Sequence, residues 1–320
     1  VAIYRGGVLT EAAHGVLNAE TGVEATTDSL FHIASITKPM TATLAMQLVD
    51  EGKLDLDAPV QRYLPDFAAA DMDAARRVTV RQLTTHQSGI DGDFFHETTR
   101  GEDRVAKLLE AGRALPQLHP LGEGISYNNY AFCVLGRILE AIEDADFDAI
   151  WRKRISDRLG TPSLLTLRED ALRYRVAVGH FGGPEGFKVP KAMYLAASSG
   201  PAGGTAMAKA RDLISFALMH LNGGVSQTGD RMLSAASVKA MQYPHSALPP
   251  HHIATHFGLA WMIFDWGGQY LYGHDGASVF QRSFLRIHPG SRTVVSLLCN
   301  GGDAGGLFRD IAGPVFESVG

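Results

Sequence analysis

A serine and a lysine three residues apart, in Ser35-Ile36-Thr37-Lys38, carry the first chemical suggestion in this chain. On a helix that spacing puts hydroxyl and amine on one face, where the amine can take the hydroxyl's proton. Two further stretches offer what such a nucleophile still lacks. Tyr127-Asn128-Asn129 brings a phenol to relay protons and an amide to hold a substrate carbonyl. His274-Asp275-Gly276 brings a glycine on a strand, where backbone can approach an oxyanion. Taken alone, Ser35 reads as an ordinary helix N-cap. Taken with the other two stretches, it reads as the nucleophile of a serine acyl-transfer enzyme.

The elements around these residues are predicted from punctuation and periodicity. Residues 35 to 49 are apolar nearly all round, the pattern of a buried central helix closed by Asp50-Glu51-Gly52. Pro39 fits only if that helix has just begun, which puts Ser35 at its N-terminus, where free N–H groups and the dipole favour developing negative charge. Residues 1–4 and 7–10 read as a hairpin around Arg5-Gly6. Helical periodicity runs through Val80–Thr85, Arg104–Ala114, Tyr130–Ile142, Phe147–Leu159 and Ala208–Leu221. Loops such as Gly89-Ile90-Asp91-Gly92-Asp93 and Gly182-Gly183-Pro184-Glu185-Gly186 join several of them. Strand signals return at Phe257–Phe264, Tyr270–Gly273, Ser278–Ile287 and Thr293–Cys299, and a last helix is expected over Leu307–Val319. One antiparallel sheet built from both chain ends, with a helical insertion as a second lobe, accounts for this order. The expected division is 1–55 with 201–320 as the sheet lobe and 56–200 as the helical lobe, with the active site between them.

Composition narrows the function. The chain has 320 residues, enough for one large domain or two interlocked ones. A net charge of -5 without a Lys/Arg-rich run argues against nucleic acid as a partner, and no apolar run is long enough to span a membrane. Cys133 and Cys299 both lie in apolar surroundings and read as buried free thiols. No signal peptide is visible, which leans toward the cytoplasm, but Val1 starts directly on a strand, so further N-terminal residues are expected and the compartment stays open. His251, His252 and His256 follow Pro249-Pro250 and read as a solvated loop rather than a metal site. Asp91, Asp93, His96 and Glu97 read as an exposed loop at the cleft mouth. The expectation is therefore no metal and no cofactor. No G-x-S-x-G elbow is present to support an α/β-hydrolase reading.

The set of motifs resembles the serine β-lactamase-like superfamily, in the branch of class C β-lactamases, D-alanyl-D-alanine carboxypeptidases, D-aminopeptidases and family VIII carboxylesterases. The resemblance rests on Phe31–Lys38, on Leu83-Thr84-Thr85-His86-Gln87-Ser88-Gly89, and on Gly122–Asn129. Gly203-Gly204 before Ala210-Arg211-Asp212-Leu213, Gly258-Leu259-Ala260-Trp261, and Gly273-His274-Asp275-Gly276-Ala277 complete it. It implies an α/β (α+β) fold with a five-stranded antiparallel sheet flanked by helices, plus an all-helical lobe. It also implies roles: Ser35 as nucleophile, Lys38 as general base or as the group keeping Tyr127 ionised, Tyr127 as proton shuttle and Asn129 as holder of the substrate carbonyl. Gly276 would let substrate lie along the strand, and the N–H groups of Ser35 and Ala277 would form the oxyanion hole.

His274 stands where many relatives carry lysine and the D-amino-acid-directed peptidases carry histidine. Asp275 stands where penicillin-recognising members carry a hydroxyl or small residue, and a carboxylate there is expected to repel a substrate carboxylate. These departures favour a small-molecule ester, amide or peptide substrate without a free carboxylate near the scissile bond. Carboxylesterase action comes first, then D-aminopeptidase or DD-peptidase action, then β-lactamase. Transacylation differs only in the second nucleophile, and a non-catalytic binding module of the same fold is the rival from another class.

Overall fold

A computed structural model describes residues 1–183 and 186–318. Pro184 and Glu185 of the expected loop, and Val319 at the end of the expected last helix, lie outside the described residues. The main sheet has eight antiparallel strands: β1 Ala2–Arg5, β2 Val8–Glu11, β3 Ser246–Ala247, β4 His256–Phe257, β5 Met262–Trp266, β6 Gln269–Ser278, β7 Gln281–His288 and β8 Thr293–Cys299, in the order β2-β1-β8-β7-β6-β5-β4-β3. The chain ends do meet in one sheet, with Ala2 opposite Ser296.

The expected five-stranded count is corrected to eight, and the reason lies at the two edges. Gly6 and Gly7 both take positive φ (58° and 84°) and fold the chain back to add β2. At the other edge the expected single strand 257–264 is a hairpin. Ala260 adopts φ 65°, and Gly258 N–H reaches Trp261 O at 2.8 Å, so β4 folds onto β5. His256, read as loop, is therefore a strand residue, while His252 Nδ1 accepts from Ala254 N–H in the preceding turn.

Both faces of the sheet are covered, which is why Thr293–Cys299 reads as a nearly unbroken apolar run rather than an alternation. One face, with Tyr272, Leu285, Ile287, Val294 and Leu298, joins the large core shared with helix α1, Thr37–Asp50. Helices α2, Asn129–Glu143, and α3, Ala210–Leu221, enter the same core. The other face, with Phe264, Leu271, Val295 and Leu297, is closed by Phe308, Ala312 and Phe316 of helix α4, Ala304–Glu317. Residues 37 to 48 of α1 are buried on every side, as its apolar pattern predicts. The remaining expected helices form at Val80–Thr84, Arg104–Ala111 and Phe147–Leu159, the last with a π-helical turn at Arg152–Ser156. No helix among the described residues is long and apolar enough to cross a membrane.

Candidate active site

Ser35 lies in a single 3-10 turn, Ala34–Ile36, that leads into α1. Two glycines clamp this turn. A Cβ on Gly276 would run into the Ile33 carbonyl oxygen and Ser283 Oγ, and one on Gly203 (φ 107°) into the carbonyl of Ala34. Ala34 itself takes φ 45°, a conformation that bulkier residues resist. The turn is also tied to the sheet by side chains. Ser283 Oγ donates to Ile33 O at 2.8 Å, and Gln281 Oε1 accepts from His32 N–H at 3.1 Å. A two-residue pairing of Phe31–His32 with Met207–Ala208 anchors the segment from behind.

Lys38 is wholly buried, and its Nζ sits 3.0 Å from Ser35 Oγ, 2.7 Å from Asn129 Oδ1 and 2.9 Å from Ala202 O. Burial lowers its amine to about 7, opposed by Cys133. The stoichiometry matches that state. A neutral amine has two N–H groups for the two obligate acceptors, the Asn129 and Ala202 oxygens, and one lone pair left for the Ser35 hydroxyl. Nζ also lies over the Tyr127 ring, 4.8 Å from its centre. Dense packing raises the Tyr127 phenol well above its ordinary range, opposed by the Ser35 hydroxyl, although 41% of the residue's surface remains open to solvent. The phenol is therefore a proton donor at neutral pH.

Tyr127 and Asn129 are positioned by their neighbours. Asn128 caps α2: its Oδ1 accepts from Ala131 N–H, and its Nδ2 donates to Ile90 O and Ser88 Oγ. Gly92 O accepts from Asn129 N–H at 3.1 Å, so the loop read as a cleft-mouth element also holds the Tyr127 segment from below. Glu97 Oε2 accepts from Ala197 N–H and ties the same loop to the 3-10 segment Ala197–Ala202 that presents the Ala202 carbonyl.

His86 is a site residue without an assigned role in the sequence. It is fully buried, stacks on Tyr127 with ring centres 4.5 Å apart, and accepts Asn128 N–H at Nδ1, which leaves the proton on Nε2. Burial and the nearby Lys38 and His274 hold it neutral. Its signal in the sequence was only the motif that carries it. Ala202 leaves no signal, because a main-chain carbonyl is invisible to side-chain pattern.

His274 and Gly276 face the Ser35 turn from β6, which runs beside Ala34–Ile36. His274 Nδ1 donates to Asp275 O at 2.6 Å, so its buried Nε2 is a bare acceptor. Burial, reinforced by Lys38, lowers its ring to about 3. Asp275 points the opposite way. Strand alternation puts its carboxylate on the α4 face, where Arg286 holds it at 2.5 and 3.1 Å, with the guanidinium 3.8 Å from the centre of the Phe264 ring. The expected repulsion of substrate by residue 275 is thus corrected: its charge is already paired on the far side of the sheet. Ala277 follows on the same strand, opposite Arg282.

Residues 1–314 match the beta-lactamase family model. The chain belongs to the beta-lactamase family. It is 43% identical to penicillin-binding protein 4 of Amycolatopsis lactamdurans over 97% of this chain and 82% of that protein. A shorter match, 42% identical over 27% of this chain and 22% of the other, is to esterase EstB of Burkholderia gladioli. Among solved structures the protein SurE superposes with a TM-score of 0.82 at 29% identity, over 99% of this chain and 70% of that one, and SurE has also been solved with D-Leu. With this family come the β-lactamase/transpeptidase fold and serine hydrolase chemistry.

Proposed function

We propose that the chain cleaves carboxylic esters, and more slowly amides, through an acyl-enzyme on Ser35, in the manner of a carboxylesterase. The observation that carries this reading is the Lys38 amine, 3.0 Å from Ser35 Oγ and lowered to about 7 with both its N–H groups already committed. Lys38 takes the Oγ proton as Oγ bonds to the substrate carbonyl carbon. The N–H groups of Ser35 and Ala277 hold the oxyanion, and Asn129 offers its free amide N–H to the substrate. Tyr127 gives its phenolic proton to the departing alkoxide and regains one from the Lys38 ammonium. Water then attacks the ester on Ser35, returns Oγ its proton and releases the acid. The site lies in the cleft between the 56–200 lobe and the lobe formed by 1–55 and 201–320. No cofactor takes part.

The substrate preference rests on His274. Its neutral ring presents an acceptor edge, which opposes a substrate carboxylate instead of binding it. A second reading, hydrolysis of D-configured amino-acid amides or peptides, is favoured by the same histidine together with the SurE–D-Leu structure. Intact-mass spectrometry tests both against a short p-nitrophenyl ester, a D-amino-acid amide and a penicillin, with Ser35→Ala as control. An adduct or product that needs Ser35, fastest with the ester, is expected. The amide leading would promote the second reading, and turnover unaffected by Ser35→Ala would remove both.

A further inference from the structure

The short helix Val80–Thr84 ends in a left-handed turn: Gln87 N–H donates back to Gln82 O at 3.0 Å, and His86 inside that turn takes φ 59°. Glycine makes such a turn with least strain, so a histidine there is explained by what its side chain does. His86 is wholly buried and holds the Tyr127 segment at three points. Its carbonyl oxygen accepts Ser126 N–H at 3.1 Å and its Nδ1 accepts Asn128 N–H at 3.0 Å, one bond on each side of Tyr127. Its ring lies along the Tyr127 ring, with centres 4.5 Å and planes 29° apart. Phe257 and Phe132 crowd the same imidazole, their ring centres 4.5 and 5.4 Å away. Asn128 is fully buried, so its N–H has no water to replace a lost Nδ1. Phenylalanine would supply the ring without the acceptor, and asparagine the acceptor without the ring. A neutral imidazole protonated on Nε2 supplies both.

We infer that His86 is a positioning residue: through its Nδ1, its carbonyl oxygen and its ring it aims the Tyr127 phenol at the leaving group. This rests on the Ser35 acyl-enzyme reading, in which Tyr127 is the proton donor to the departing alkoxide. As the C–O bond breaks, its electron pair stays on the alkoxide oxygen and takes up the phenolic proton, and the phenolate regains a proton from the Lys38 ammonium. Tyr127 is partly open to solvent, so its aim depends on what holds it from behind. A phenol swung off line fails most where the alkoxide is most basic. p-Nitrophenolate leaves as a stable anion, whereas ethoxide needs the proton. His86 therefore governs which leaving groups the site can expel, and it does so without touching the substrate.

The test compares kcat/KM for ethyl butyrate and p-nitrophenyl butyrate, which share one acyl-enzyme and differ in the leaving group. His86→Phe keeps a ring and removes the acceptor, and His86→Ala removes both. Each should lower the ethyl-to-p-nitrophenyl ratio roughly ten-fold or more, in the same direction as Tyr127→Phe. His86→Asn returns an acceptor where Nδ1 stood and suits the left-handed turn, so it should lose less of the ratio than His86→Ala. Both esters slowed alike, with the ratio unchanged, would mark a merely structural residue and overturn the proposal. An asparagine variant whose ratio falls as far as that of alanine also overturns it. Should His86→Phe fail to fold at a left-handed position, His86→Ala and His86→Asn carry the comparison. Failure of the acyl-enzyme reading shows differently: no donor forms a Ser35 adduct, or Tyr127→Phe leaves the ratio where it was. The hold on Tyr127 is then read by hydrogen exchange at Asn128 N–H, which needs no turnover. Exchange faster in His86→Ala than in the wild type, with His86→Asn between them, upholds the hold, and equal exchange overturns it.

Discussion

At the scale of single residues, the proposed chemistry turns on one amine kept neutral by its surroundings. Lys38 ordinarily titrates near 10.5 and is lowered to about 7 by burial. Its base form is therefore available at physiological pH, and kcat/KM should rise through an acidic limb near pH 7. A limb near 10 would mean that burial leaves the amine as basic as it is in water. Lys38→Met should cost roughly 10³-fold in acylation rate, in the range expected for loss of a general base, with the fold retained. The rate of adduct formation by mass spectrometry reads this directly, and acylation at the wild-type rate would reassign the base.

The decisive element is the β6–β7 hairpin, which serves the site on one face and the core on the other. Gly276 belongs to the site face, packed against Ile33 O and Ser283 Oγ. Gly276→Ala must push the Ser35 turn away from the strand, at about 1–3 kcal/mol of strain. The loss in kcat should exceed any change in KM, because the proposed oxyanion donors separate. Asp275 belongs to the opposite face. Asp275→Ala would strand Arg286, whose side chain is 4% exposed among Phe264, Trp266 and Phe308. That should cost about 3 kcal/mol in a urea titration. Selectivity between donors with and without a carboxylate should stay where it is. A change in that selectivity without loss of stability would restore the repulsion expected from sequence.

Across the whole molecule, buried imidazoles set the acid limit. His32 is lowered to about 4 by burial and Arg168, and His220 and His274 to about 3 by burial. His86 is also held well below its ordinary 6.5. Between pH 6.5 and about 4 the unfolded chain binds protons that the native one refuses, so stability must fall as pH falls through that window. Unfolding at pH 5 should take up about four protons, one for each of these histidines. The pH dependence of the urea midpoint measures the number, and a flat midpoint from pH 7 to 5 would show that the rings titrate freely in the native state.

The sequence by itself determined the buried helix that follows Ser35, the two-ended sheet and the family. S-x-x-K spacing, an apolar stretch buried on all sides and turn residues between strands are local signals, and local backbone preferences carry them into the structure. It also named Ser35, Lys38, Tyr127, Asn129 and His274, which the fold gathers around one point. Only tertiary structure decided the rest. The direction of the Asp275 carboxylate depends on strand register, and a one-residue slip would have turned it into the site. The eight-strand count depends on a hairpin made by Ala260 at a positive φ that alanine's propensity does not announce. His86 and the Ala202 carbonyl reach the site from segments more than one hundred residues apart in the chain. Their contributions arise from packing, which no window of sequence contains.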